Sequence, residues 1–277
     1  MGYRMVVCAT ALIVCSAPGL AAELFYMDHD PYTGEYVGPV GPLVISGEIT
    51  RGDYERLVSK IADDEKRFLA LNKIILASDG GDVREAVKIA NFINSTYSEV
   101  LVEPRTGRCV SACFLIFAGA AQRNTDGKGL IGINRPYFVD TETSSLSPAD
   151  AATAENGALL EVRAFLRASE VPAYLVDEMF RHASNDAYWL SVVDEAALGH
   201  RSSSLNRFLA SKCAWRDAIE QEVYARKRPL EDLTRMLKCR MRATEAAARR
   251  ALKDAERQPH AIIGDPAVSA PPTSLSE

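Results

Sequence analysis

The strongest constraint on this chain is a buried strand that runs into a glycine pair and then into an amphipathic helix. Lys73-Ile74-Ile75-Leu76-Ala77 is nearly continuous in apolar character, the pattern of a strand covered on both faces. Ser78-Asp79-Gly80-Gly81 follows. Val83, Ala86, Val87, Ala90, Ile93 and Tyr97 then recur along one helical stripe, with Asp82 placed to cap it. A strand covered on both faces needs helices around it, which implies right-handed βαβ crossovers and a largely parallel sheet.

The alternation extends in both directions. Leu43-Val44-Ile45 reads as a strand, followed by Gly47-Glu48-Ile49 and a helix marked by Tyr54, Leu57, Val58 and Ile61. A third strand is expected around Glu99 to Val102. Arg108 to Cys113 then leads into the buried apolar helix Phe114 to Ala118, and a further strand, Gly129 to Ile133, ends at Asn134-Arg135-Pro136. Residues 141–157, rich in Thr, Ser, Ala and Asp, read as a loop or a loose helix start, and Leu159 to Phe180 as helix interrupted near Pro172. Tyr188 to Ser191 reads as a short strand and Asp194 to Leu198 as a helix closed by Gly199.

Beyond Leu205 the pattern is helical only. Leu205, Phe208, Leu209, Ile219 and Val223 predict one helix, and Leu233, Met236 and Leu237 a second, joined by a turn at Arg226-Lys227-Arg228-Pro229. That basic run reads as a solvated turn. The organisation expected is an N-terminal leader over 1–22, an irregular or edge-strand segment over 23–42, an α/β domain over 43–202, a helical hairpin over 203–257 and a disordered tail over 258–277.

With 277 residues, 47% of them hydrophobic, the chain can bury a sizeable core. A formal net charge of -5 offers no general attraction to phosphate, so nucleic acid is not an expected partner. Arg4, the apolar run Met5 to Ala17 and the break at Pro18-Gly19 read as a secretory leader cleaved after Ala21 or Ala22. The run falls short of the roughly 20 residues that cross a bilayer, so no stable membrane span is expected. A periplasmic or secreted location follows. Removing the leader discards Cys8 and Cys15 and leaves Cys109, Cys113, Cys213 and Cys239, an even number that suits an oxidising compartment. Cys213 and Cys239 are equidistant from Arg226, so a hairpin would place them opposite one another for a disulfide. Cys109 and Cys113 could close a short disulfide around Ser111. No zinc-type spacing occurs, and neither a metal nor a cofactor is expected.

Two backbone features could carry chemistry. A glycine pair between a buried strand and a helix lets amide N–H groups approach a ligand, and can form half of an oxyanion hole. Ser111, at the start of a buried helix, reads either as a helix cap or as a nucleophile with the Ala112 N–H beside it.

Taken together, three blocks resemble the Clp protease proteolytic subunit and its crotonase-superfamily relatives, especially exported members of that group. They are Ile75 to Val83, Cys109 to Leu115 leading to Ala118-Gly119-Ala120, and Ile131 to Pro136, in matching order over roughly residues 43–200. The resemblance implies a core of ββα repeats and self-association into rings or trimers. It places Ser111 at the nucleophile, Gly80 and Gly81 with Ala112 at the oxyanion hole, and Asp186, beside Asn185, near the acidic member of a triad. It places Asn134 where the family carries its catalytic histidine, and a carboxamide cannot accept the serine proton. His182 and Lys128 are candidate replacement bases, whereas His29, His200 and His260 fall in loop, helix-end and tail contexts. Three functions remain open: a serine-type hydrolase of peptides, a pseudoenzyme that binds a peptide or protein without cleaving it, and an acyl-thioester enzyme, for which an exported protein would rarely meet substrate.

Overall fold

The computed structural model describes residues 21–29, 36, 38, 41–103, 107–125, 130–138, 147–213 and 217–257. Residues 1–20 of the expected leader, parts of segment 23–42, Lys128 and the tail from residue 258 lie outside the described residues.

The described residues open with strands β1 (Glu23–Tyr26) and β2 (Leu43–Ser46), helices α1 (Asp53–Asp63) and α2 (Glu65–Leu71), strand β3 (Lys73–Ala77), helix α3 (Val83–Thr96) and strand β4 (Glu99–Val102). Next come β5 (Cys109–Val110), α4 (Ala112–Gly119), β6 (Gln122–Thr125) and β7 (Ile131–Ile133). The remainder is α5 (Pro148–Ala168), α6 (Ala173–Arg181), β8 (Tyr188–Trp189), α7 (Val192–Leu198), α8 (Ser203–Cys213), α9 (Asp217–Tyr224) and α10 (Leu230–Arg257). One sheet has the order β1-β2-β3-β4-β6 and is parallel except for the antiparallel edge strand β1. A smaller sheet, β5-β7-β8, pairs β5 and β7 in parallel and closes with antiparallel β8. The fold class is therefore mixed α/β with a mostly parallel sheet.

Central β3 buries Ile74, Ile75 and Leu76 almost completely, as its unbroken apolar run requires. Helix α3 buries Val83, Ala86, Ile89, Ala90 and Ile93 along one face, and the Asp82 side chain accepts the Glu85 N–H at 2.8 Å as a cap. All eight residues of α4 are buried, so this helix is apolar all round and lies inside the molecule. Gly119 makes that possible, because a Cβ there would stand 2.8 Å from both Ala90 and Phe165. Glu85, on α3, is buried beneath the start of α1 and accepts the Gly52 and Tyr54 N–H groups at 3.0 and 2.7 Å, with Lys88 3.0 Å from its other oxygen. A buried carboxylate thus satisfies donors that a helix start leaves unpaired.

Two departures from the sequence reading stand out, β6 and α2. In the C-terminal segment the described residues form α8, α9 and α10, and residues 214–216, within the helix expected over Leu205 to Val223, lie outside the described residues. Its last helix is not peripheral, because Ala248, Leu252 and Ala255 join the main core and Arg249 pairs with Glu65 at 2.9 Å. Strand β6 gives no apolar signal, since Gln122-Arg123-Asn124-Thr125 is entirely polar. It pairs with β4 because its buried groups find specific partners: Arg123 donates to the Ala118 and Ser169 carbonyls at 3.1 and 3.2 Å. Helix α2 is the second, an unpredicted element whose Phe68 and Leu69 pack into the core.

The cysteines fall into two pairs at bonding distance, Cys109 with Cys113 and Cys213 with Cys239, with Cα separations of 5.2 and 5.7 Å. Both separations fit a disulfide. In unreduced protein these four cysteines should resist alkylation and become reactive on reduction, as read by intact mass. Cys213→Ser should cost about 2–4 kcal/mol, read as a lower urea midpoint.

Candidate active site

The glycine turn at the end of β3 lies between two neighbouring segments and is bonded to both. On one side, Ser78 donates its N–H to the Arg108 carbonyl at 2.8 Å and accepts the Val110 N–H at 3.0 Å, forming a parallel bridge to Cys109. On the other, the Ile49 N–H reaches the Gly80 carbonyl at 2.8 Å and the Asp82 N–H reaches the Ile49 carbonyl at 2.7 Å. The Ser78 hydroxyl also accepts the Gly80 N–H at 3.0 Å. Both glycines have positive φ, 107° and 138°. A Cβ on Gly80 would stand 2.8 Å from the Ser111 Cβ and 3.0 Å from the Ala112 nitrogen, and one on Gly81 would stand 2.1 Å from the Ile49 oxygen. The glycine pair and the serine segment, far apart in sequence, are therefore in direct contact. Among the described residues no hydrogen bond engages the Gly81 or Ala112 N–H.

Ser111 joins β5 to α4 with φ 58° and ψ -121°, the geometry of a tight-turn position normally filled by glycine. Its N–H bonds the Gly132 carbonyl at 3.1 Å, and its carbonyl accepts the Phe114 N–H at 2.9 Å, so the strain is held from both sides. Such a conformation costs about 1–3 kcal/mol in a non-glycine residue. The hydroxyl makes no capping bond, which removes the helix-cap reading. The Cys109–Cys113 pair spans the turn.

Asn134 lies just beyond β7 and is only 5% exposed. Its side-chain amide donates to the Ser184 carbonyl at 2.7 Å, while its Oδ1, also buried, has no partner among the described residues. The neighbouring Arg135 N–H bonds the His182 carbonyl at 3.0 Å. These two bonds dock residues 182–184 against the segment that holds Asn134. His182 places Nδ1 3.3 Å from Asp186 Oδ2 and Nε2 3.5 Å from Glu178 Oε2, with Tyr188 against its ring. Asp186 itself is exposed. The sequence-nominated residues thus form two groups: Gly80, Gly81, Ser111 and Ala112 at one turn, and Asn134, His182 and Asp186 at another, joined through β5 and β7.

Two features were not anticipated. Arg108 forms a two-pronged pair with Asp79, including Nη2 to Oδ2 at 2.9 Å, and so clasps the glycine turn to the serine segment. Neither residue type nor spacing signals it, because the partners come from different elements. Asp194 is a buried carboxylate that accepts bonds from Tyr174, Tyr188 and Ser191 at 2.8 to 3.0 Å. Burial pushes its carboxyl up, but these bonds outweigh that and hold it below the usual range. The Ser-x-x-Asp spacing of Ser191 and Asp194 was the available signal, since the pair forms a reciprocal cap on α7.

No protein family and no curated protein matches the chain by sequence comparison. Among solved structures, the chain is similar to a serine-to-alanine mutant of the membrane-bound, stomatin-specific protease 1510-N. Identity is 18% at a TM-score of 0.39, covering 62% of this chain and 83% of that one. So remote a likeness assigns no role to any residue here.

Gly80→Ala should destabilise by about 1–3 kcal/mol, because the added carbon meets backbone as well as side-chain atoms; urea unfolding reads it. The Asp79–Arg108 clasp should depend on pH. The Arg108 hydrogen bond holds the Asp79 carboxyl below its ordinary 3.8, against partial burial and with the aid of the guanidinium charge. Folding therefore favours the ionised form, so the contribution is complete above that ordinary value and is lost as pH falls through the lower folded one. Acidification below pH 3.8 should lower the amide-exchange protection factors, taken against the intrinsic rate at each pH, over residues 78–82 and 107–111, and Asp79→Asn should remove that step.

Proposed function

We propose that this chain is an exported serine-type hydrolase of peptides, with a core of the Clp protease and crotonase type. Ser111 is the nucleophile, and the Gly81 and Ala112 N–H groups receive the oxyanion. The observation that carries this reading is the strained, uncapped backbone of Ser111 between a strand and a buried helix. A serine in such a turn presents its hydroxyl outward rather than spending it on the helix start. The contact between Gly80 and the Ser111–Ala112 segment supports placing both oxyanion donors in one site.

The Ser111 Oγ attacks the peptide carbonyl carbon, and its proton passes to a base that later returns it to the leaving amine. Asn134 cannot serve, since a carboxamide has no basic nitrogen near neutral pH. His182 is the base in this reading and Asp186 its orienting partner, on the evidence of their 3.3 Å approach and of the bonds that dock residues 182–184 beside Asn134. The site then releases the acyl group to water.

A second reading has a specific observation behind it. Asn134, at the position where the resemblance implies histidine, is committed to the Ser184 carbonyl. This favours a pseudoenzyme that keeps the cleft and binds a peptide or protein partner.

A fluorophosphonate probe separates the two. Labelling of the unmodified protein, lost in Ser111→Ala and reduced about 100-fold or more in His182→Gln, is the outcome expected for the hydrolase. No labelling of the unmodified protein, with labelling gained in Asn134→His, would replace it by the pseudoenzyme.

A further inference from the structure

Ala22 is a buried alanine whose backbone nitrogen faces a buried carboxylate. It is 0% exposed, and its nitrogen stands 3.3 Å from Oδ2 of Asp53, a carboxylate only 1% exposed. The same Oδ2 accepts the Thr50 N–H at 2.7 Å and the Thr50 hydroxyl at 3.3 Å, while Oδ1 pairs with Arg56. Arg56 also donates to the Ala22 carbonyl. Ala21, by contrast, is exposed and held by an isolated bridge to Glu48.

We propose that the chain is processed between Ala21 and Ala22 and that the new α-ammonium of Ala22 pairs with buried Asp53. This rests on the export reading above. A leader-cleaving peptidase hydrolyses the Ala21–Ala22 bond. Water supplies hydroxyl to the Ala21 carbonyl, which leaves with the leader as a carboxylate, and Ala22 retains the amine, which takes up a proton. Gly19 and Ala21 provide the small residues that such a site needs two positions apart. Cutting one residue later would put Leu20 at the first of those positions, and would remove a residue that fills the core. Because Ala22 is buried once folded, the cut precedes folding.

The gain is electrostatic. In the uncut chain Asp53 accepts from a neutral amide; in the cut chain the same atom carries a full positive charge against a carboxylate shielded from water, where charge-assisted bonds are roughly twice as strong. The loss is the Ala21 bridge to Glu48. The consequence reaches the candidate active site, because Asp53 fixes Thr50, and adjacent Ile49 holds Gly80 and Asp82 by backbone bonds. Maturation thus firms the segment on which the glycine turn rests.

Two experiments test the cut and the pair separately. Protein recovered after export should begin at Ala22 by N-terminal sequencing; a start at Glu23, or a retained leader, overturns the processing site. For the pair, chains made to begin at Ala22 by cleavage of a fusion are compared with chains carrying one extra glycine, each with Asp53 and with Asp53→Asn. The extension should raise the unfolding constant about tenfold with Asp53 and less than twofold with Asp53→Asn. Equal effects overturn the ion pair, whatever the exported protein begins with. Should Asp53→Asn not fold, acylation of the Ala22 amine in the unsubstituted chain decides. The native amine should react at least about tenfold more slowly than in urea, and equal rates refute the pair.

Discussion

The fold around the candidate site depends on one close approach: the backbone at Gly80 lies against Ser111 and Ala112 at a distance that admits no Cβ. Strand β3 delivers the glycine turn from the core, and β5 delivers the serine turn from the neighbouring sheet. Only an unsubstituted backbone lets them touch while both also pair with other segments. Gly81 repeats the device on the opposite side against Ile49. The turn is thus held on two flanks by hydrogen bonds and steric fit, which is how a strained Ser111 persists in a surrounding structure that leaves it no relaxed alternative.

Buried polar groups follow a consistent pattern. Glu85 satisfies the start of α1, Asp53 the preceding turn and Ala22, Asp194 the start of α7, and Arg123 the carbonyls that end two helices. Each sits where secondary structure leaves donors or acceptors unpaired, so burial of the charge is compensated locally. Asn134 differs. Its amide NH2 has a partner, but its carbonyl oxygen is buried without one among the described residues, and it lies on the segment where the catalytic question is open.

The two cysteine pairs act at different scales. Cys109–Cys113 encloses one turn and bears on the geometry of Ser111. Cys213–Cys239 joins α8 to α10 beside a small satellite core of Ala121, Leu205, Leu209, Ile219 and Met236. A cluster that small gains from a crosslink that restricts the unfolded chain.

Much of the framework could be read from periodicity. The runs in β2, β3 and α4 and the stripe of α3 are apolar in the pattern their burial demands, and the symmetric placing of Cys213 and Cys239 about Arg226 anticipated their pairing. Strand β6 was illegible because polar residues form it, and their partners, such as Ser169 for Arg123, lie far away in sequence. Local sequence therefore determined which segments become strand, helix or glycine turn, since period and turn chemistry act over a few residues. Tertiary structure alone decided that Gly80 touches Ser111, that Arg108 grips Asp79, that His182 is docked beside Asn134 and that Asp53 faces Ala22. Those juxtapositions arise from packing between distant segments, on which a local pattern has no hold.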